Sequence, residues 1–406
     1  MTLKPYIALI ILFYSLTNAV VKSQSAPVEL SVSLFTDSGK IIPLRWQWQA
    51  HPPELILYNA EERISCTSIQ KKDDTLYVEI PVFQTELRLF QGDSLWKGYW
   101  RNLYRMPVQH MRVEARLKTK NFNADTALAN QIQGDWELQF DDSTRGIARI
   151  FWNCKTQQLT GTLLTETGDY RYLQGHITPS KLLQLSAFDG LHAFLFEAYI
   201  NTCNPLSKTH LNGWFYSGPH FSQLWTAARN PKFKLRNPET LTKSKTSEPI
   251  HFTFTDLNGK PCSIDDELFK NKVVILQLMG SWCPNCMDES RYFADLYKRF
   301  ASSGLEIIAL AFEKSSNFEI AQKSLLKLRQ DLRLPYTLLY AGSSQKTEAS
   351  KQLPFISGLM AYPTTLFLNR NHQIVATHTG FSGPATGNSY LEYCKRTELR
   401  IKSLLK

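Results

Sequence analysis

The chain has 406 residues, a formal net charge of +10, 43% hydrophobic and 20% charged residues. This balance excludes a disordered chain and a bundle of membrane helices, and the length suits two or three domains. The basic residues are scattered without a dense Lys/Arg block, so the charge reads as a solvated surface and no nucleic-acid partner is expected.

The N-terminus departs from this average. Lys4 precedes an apolar run over residues 6–16 and then Thr17-Asn18-Ala19. That is the layout of a signal peptide cleaved after Ala19, with a later site near Ala26 as the variant. Residues 1–24 are therefore set apart from the fold. An uncleaved anchor is the competing reading, but the run is short for a span. Export predicts a periplasmic or otherwise extracytosolic protein, in which a reactive dithiol needs an outside source of electrons.

Residues 27–118 read as strands. Glu29-Leu30-Ser31-Val32-Ser33-Leu34-Phe35 and Thr75-Leu76-Tyr77-Val78-Glu79-Ile80 alternate apolar and polar, with a turn at Lys71-Lys72-Asp73-Asp74. A short helix fits residues 124–133. Residues 134–229 hold further short apolar runs separated by Gly-Asp, Pro-Ser, Asp-Gly and Ser-Gly-Pro turns. Residues 27–230 thus predict an all-β antiparallel barrel or sandwich, either one domain or two (27–118 and 134–230). Its tryptophans could line a ligand pocket or fill an ordinary core, and the core reading is favoured. His176, His192, His210 and His220 match no metal-ligand spacing.

Residues 231–249 read as a polar linker bracketed by Asn-Pro and Glu-Pro pairs. Beyond it the pattern changes. Buried-strand runs over 273–279 and 305–312 alternate with helical stretches from the Cys283 region to about 300 and from 319 to 332, and a hairpin and a last helix follow. Residues 250–406 therefore predict an α/β domain on a mixed sheet.

Seven cysteines are present, at 66, 154, 203, 262, 283, 286 and 394, and only Cys283-Pro284-Asn285-Cys286 has a motif spacing. It falls where a buried strand ends and a helix begins. Unpaired helix N–H groups and the helix dipole there favour a thiolate, with a pKa for Cys283 of about 3.5–7.5. Cys286, one turn on, can resolve a mixed disulfide formed by Cys283. The pair is the predicted redox-active disulfide. No second Cys-x-x-Cys exists to complete a zinc site, so no metal and no bound cofactor are expected. Trp282 supplies an apolar rim. Pro363, after Tyr362, would remove a donor before a strand and leave the Tyr362 backbone to a substrate chain. Glu289 can face Cys286 and relay its proton, or be an ordinary solvated carboxylate. Cys66, Cys154 and Cys203 are candidates for a structural disulfide, with nothing in their spacing to choose a pair.

The strand, Trp282-Cys283-Pro284-Asn285-Cys286, Glu289 and Tyr362-Pro363-Thr364-Thr365 resemble the TlpA-like and ResA-like exported thioredoxins of the redoxin (AhpC/TSA) superfamily. The resemblance covers about residues 250–400. It implies a thioredoxin fold, a cis Pro363 and disulfide exchange with client proteins. A membrane electron donor would make the protein a reductase, the expected direction. Residues 165–173 and 187–190 look like the β domain of redoxin-family fusions, without implying an activity. One departure is Gln277, where cytosolic thioredoxins carry a buried Asp; it cannot titrate and shifts weight to Glu289. A peroxiredoxin-type thiol peroxidase is an alternative. Its Pro-x-x-x-Thr/Ser-x-x-Cys frame is missing, with Leu276 and Gly280 before Cys283 and Met279 and Cys283 before Cys286. A β-domain binding module with an accessory thioredoxin domain is the other.

Overall fold

A computed structural model describes residues 26–117, 126–201 and 210–406. The predicted signal peptide and Cys203 lie outside the described residues.

The first body is all antiparallel: β1 (Val28–Phe35), β2 (Ile41–Gln49), β3 (Glu54–Asn59), β4 (Glu62–Cys66), β5 (Ile69–Lys72), β6 (Thr75–Glu79), β7 (Thr85–Phe90), β8 (Leu95–Asn102) and β9 (Gln109–Leu117). The strands lie in the order β4-β3-β2-β1-β9-β8-β7-β6-β5. β4 and β5 are the two ends of that order, yet only residues 67 and 68 separate them in sequence. A link that short forces the sheet to curl until its ends meet. Alternation sends Leu30, Val32 and Leu34 of β1 inward, onto a core that includes Trp46 and Trp100.

A helix, α1 (Thr126–Ile132), leads into β10 (Gly134–Phe140), β11 (Arg145–Asn153), β12 (Gln158–Thr165), β13 (Gly168–Asp169), β14 (Leu173–Ile177), β15 (Leu182–Phe188), β16 (Ala193–Asn201), β17 (His210–Ser217) and β18 (Phe221–Ala228). Their order is β11-β10-β18-β17-β16-β15-β14-β12-β13, and β11 also pairs with β12, which closes a barrel. Its interior is aromatic: Phe196 stacks on Phe215 at 4.3 Å and meets Trp225 edge-on. Phe188 joins the two β bodies. Its ring packs on Trp46 and Trp100, and its backbone exchanges hydrogen bonds with the Asn59 side chain.

The last body comprises β19 (Thr253–Asp256), β20 (Pro261–Ser263), β21 (Val273–Met279), α2 (Pro284–Phe300), β22 (Leu305–Glu313), α3 (Phe318–Leu332), β23 (Thr337–Ser343), α4 (Lys346–Lys351), β24 (Thr364–Leu368), β25 (Ile374–Thr379) and α5 (Asn388–Leu405). Its sheet runs β20-β19-β23-β22-β21-β24-β25, with β21, β22 and β23 parallel and the others antiparallel. β21 and β22 are buried along their whole length, as a parallel pair covered on both faces must be. This is the thioredoxin fold. No helix among the described residues is long and apolar enough to cross a membrane.

Residues 231–249 are not a loose tether. A single 3-10 turn at Pro238–Thr240 is followed by the buried Thr242, which the hydroxyls of Thr377 and Thr379 grip at 2.5 and 2.7 Å. Ser244 pairs with Ile356. The polar composition that suggested a linker supplies the groups that dock the segment along β25.

Candidate active site

β21 delivers the chain through Gly280-Ser281-Trp282 to α2. Gly280 is required by close approach: a Cβ there would stand 2.4 Å from the Trp282 ring nitrogen and 2.7 Å from the Phe312 carbonyl. Trp282 is fixed by donating to that carbonyl at 3.0 Å. Cys283 caps α2, Pro284 takes the first helical position, and the Cys283 sulfur accepts the Cys286 amide at 3.2 Å. Cys283 and Cys286 form a disulfide. Their exposures are 5% and 0%, so neither sulfur meets bulk solvent broadly.

The Tyr362–Pro363 bond is cis, and the Tyr362 carbonyl lies 3.6 Å from the Cys283 sulfur. Tyr362 meets Trp282 edge-on at 5.5 Å. These residues, distant in sequence, form one patch around the outer cysteine.

Beneath Cys286 lies a closed polar network. Glu289 is fully buried and accepts from Tyr393 at 2.7 Å, Thr365 at 2.9 Å and Gln277 at 2.9 Å. The Gln277 amide also reaches the Cys286 carbonyl at 3.5 Å, and its oxygen accepts from Ser290 at 3.1 Å. Burial pushes the Glu289 carboxyl up to about 7, and the three donors only partly offset it. The solvated-carboxylate reading of Glu289 is thereby corrected: a core pocket, not water, surrounds it. A second buried acid, Glu313, accepts the Ser281 backbone and hydroxyl at 2.8 and 2.7 Å and is pushed up to about 7 by burial.

The β barrels reach the cysteine motif directly. Asn285 donates to the Asp169 carbonyl at 3.1 Å. Arg171 donates to the Pro284 carbonyl at 3.0 Å, pairs with Asp288 of α2 at 2.6 Å and pairs with Glu62 of β4. Burial opposes the charge of this guanidinium, but Asp288 and Glu62 outweigh it and hold its pKa above the ordinary arginine value. The Asp169 carboxylate, pushed up to about 6 by burial, accepts the backbone amides of Arg171 and Gly383.

Residues 247–377 match the AhpC/TSA family. The chain is 30% identical over 149 residues to the thiol-disulfide oxidoreductase ResA of Bacillus thuringiensis subsp. konkukian, a match covering 37% of this chain and 76% of that protein. The chain belongs to the ResA-like thiol-disulfide oxidoreductases. ResA of Bacillus subtilis is 28% identical, over 38% of this chain and 78% of its own. A solved thiol-disulfide oxidoreductase from Bacteroides fragilis is similar at 18% identity and a TM-score of 0.28, covering 37% of this chain and 99% of that one. The AhpC/TSA family match thus lies in the C-terminal part.

The sequence-predicted residues of this ResA-like oxidoreductase converge in space: Trp282, Cys283, Cys286, Glu289, Tyr362 and Pro363 all lie at the β21–α2 junction. Missed were Thr365 and Tyr393, which hold Glu289, and Asp169 and Arg171, which hold the motif from the barrel. In the sequence Thr365 is only the end of a Pro-Thr-Thr string. Arg171 stood inside a strand-like run, where nothing marks a guanidinium as buried. Of the cysteines considered for a structural disulfide, Cys66 and Cys154 carry free thiols. Cys66 sits at the inward end of β4, where no partner thiol comes near among the described residues and burial pushes it up to about 12. Among the described residues no three metal-ligating side chains gather. His192 and His220 are each engaged by one carboxylate, of Asp189 and Asp37.

Proposed function

We propose that residues 250–406 are the catalytic body of an exported protein-disulfide reductase and that Cys283 and Cys286 are its redox pair. The observation that carries this is a disulfide formed between two residues of one helix N-terminus, with a buried acid one turn further on. In the reduced state the Cys286 amide and the helix end favour a thiolate at Cys283. That thiolate attacks a client disulfide, forming a mixed disulfide and releasing one client thiolate. Cys286 then attacks the Cys283 sulfur, releasing the second client thiolate and leaving the intramolecular disulfide. Two electrons pass to the client. Glu289 takes the Cys286 proton, which suits a carboxyl near neutral pKa. Trp282, Tyr362 and Pro363 form the surface against which the client chain lies. An external donor, membrane-bound in the simplest arrangement, restores the dithiol.

The test is a trap and a potential. Cys286→Ser should accumulate mixed disulfides with client proteins, and Cys283→Ser should accumulate none. Equilibration with a thiol buffer should give a potential near that of thioredoxin, about −270 mV. A value near about −120 mV would reverse the direction to an oxidant. The peroxidase alternative requires the frame absent around both cysteines, and predicts hydrogen peroxide consumption that this chain should lack.

A further inference from the structure

A cleft of about 560 Å³ opens beside the redox motif, between the two β bodies and the thioredoxin fold. Trp282 stands in its wall, one residue from Cys283, and all three bodies line it. The loop between β8 and β9 overhangs it with Arg105 and with Met106, which is 90% exposed. Phe221 at the start of β18 offers a second apolar surface, 52% exposed.

Its charge is one-sided. The two histidines of the cleft are answered by Asp189 and Asp37. Arg105 and Lys314 have no carboxylate within ion-pair distance among the described residues. Glu313, next to Lys314, is engaged by Ser281 instead. The Lys314 ammonium lies 3.7 Å from the Trp282 ring centre, so its charge is held over the rim of the site. Partial burial and Arg105 hold it below the ordinary lysine range, and Glu313 only partly offsets them. Two cations share the cleft with only Glu313 near Lys314, and that carboxyl is committed to Ser281, so an incoming anion would relieve their mutual repulsion.

We propose that this cleft is the docking groove for the client polypeptide, and that it selects clients carrying an acidic residue beside the exchanging cysteine. The carboxylate sits between Arg105 and Lys314, the neighbouring apolar residues lie on Met106 and Phe221, and the client sulfur is brought past Trp282 to Cys283. This rests on the Cys283–Cys286 reading above and names the client that pair would accept.

The test uses the full mature chain, pre-reduced, in single turnover with two peptide disulfides that differ only in a Glu or a Lys beside the cysteine. The Glu peptide should react faster by about fivefold per cation at low salt, and the gap should narrow as salt rises. Arg105→Glu combined with Lys314→Glu should invert the preference. A gain on the Lys peptide cannot come from misfolding, so the inversion reports the groove. Equal rates for the two peptides, or a preference that charge reversal leaves untouched, would overturn the proposal. Hydroxyethyl disulfide, small and neutral, separates the two levels. If the wild-type chain fails to oxidise on it, the redox reading itself falls and the groove with it; if it oxidises but shows no peptide preference, only the groove falls.

Discussion

Glu289 illustrates how one side chain ties stability to chemistry. Burial pushes its carboxyl up to about 7 in the folded chain from the ordinary glutamate value of 4.5, so the folded state binds the proton more tightly. Folding is therefore favoured below about pH 4.5, and that advantage is lost as pH rises through about 7. Glu289→Gln should remove this dependence: its stability relative to wild type should climb between about pH 5 and 8 and level off near 3 kcal/mol, on the order set by the shift. Urea titrations at several pH values check this. Using the difference between variants cancels the opposing contribution of His378, a buried neutral imidazole pushed down to about 3, which costs stability as pH falls below about 6.5. The same variant should slow the resolving step on the order of 100-fold at neutral pH, seen as a persistent mixed disulfide. The presence of Glu289 near Cys286 was legible from helical spacing, but its burial was not. That depends on Tyr393 and Thr365, which arrive from α5 and β24 and carry no signal at a distance of 104 and 76 residues.

At the scale of elements, α2 is held from two sides. Its inner face belongs to the thioredoxin core, and its N-terminus is gripped by the turn between β12 and β14. Gly168 lies in that turn at φ +145°, and a Cβ there would stand 2.2 Å from the Asn285 amide nitrogen. Gly168→Ala should cost about 1–3 kcal/mol, through backbone strain and displacement of Asn285 from Asp169. Arg171→Met is more severe, because it removes the charge shared by Glu62 and Asp288, both nearly buried, and among the described residues leaves Glu62 only the Asn59 amide and Asp288 only Arg291. A loss of about 3–5 kcal/mol is expected in denaturant unfolding. The strands themselves were readable from alternation and turn residues, and the strand–helix order of the last body from periodicity. The six-residue α4 was not, since a short polar segment has no apolar face to announce it. The docked Thr242 segment escaped notice for a related reason: hydroxyl-rich sequence looks the same whether water or another strand satisfies it.

Across the whole molecule, the two barrels and the thioredoxin fold meet at the redox motif, and this juxtaposition could not be read from sequence because every contact that makes it is long-range. It has a measurable outcome. In the reduced protein Cys283 should be alkylated by iodoacetamide on the order of tenfold more slowly than in Arg171→Met, where the barrels loosen from α2. Equal rates would mean that the barrels do not shield the sulfur. The strand layout has one more consequence, for behaviour at high concentration. β11 and β12 close the second barrel, β4 and β5 curl toward one another in the first, and residues 239–242 lie against β25 while residues 243–245 pair with residues 355–357. The opposite edge of the last sheet is β20, three residues long and beginning with a proline that has no N–H to offer. A neighbouring copy thus finds little backbone to pair with, which protects a strand-rich protein from growing into fibrils or amorphous aggregates.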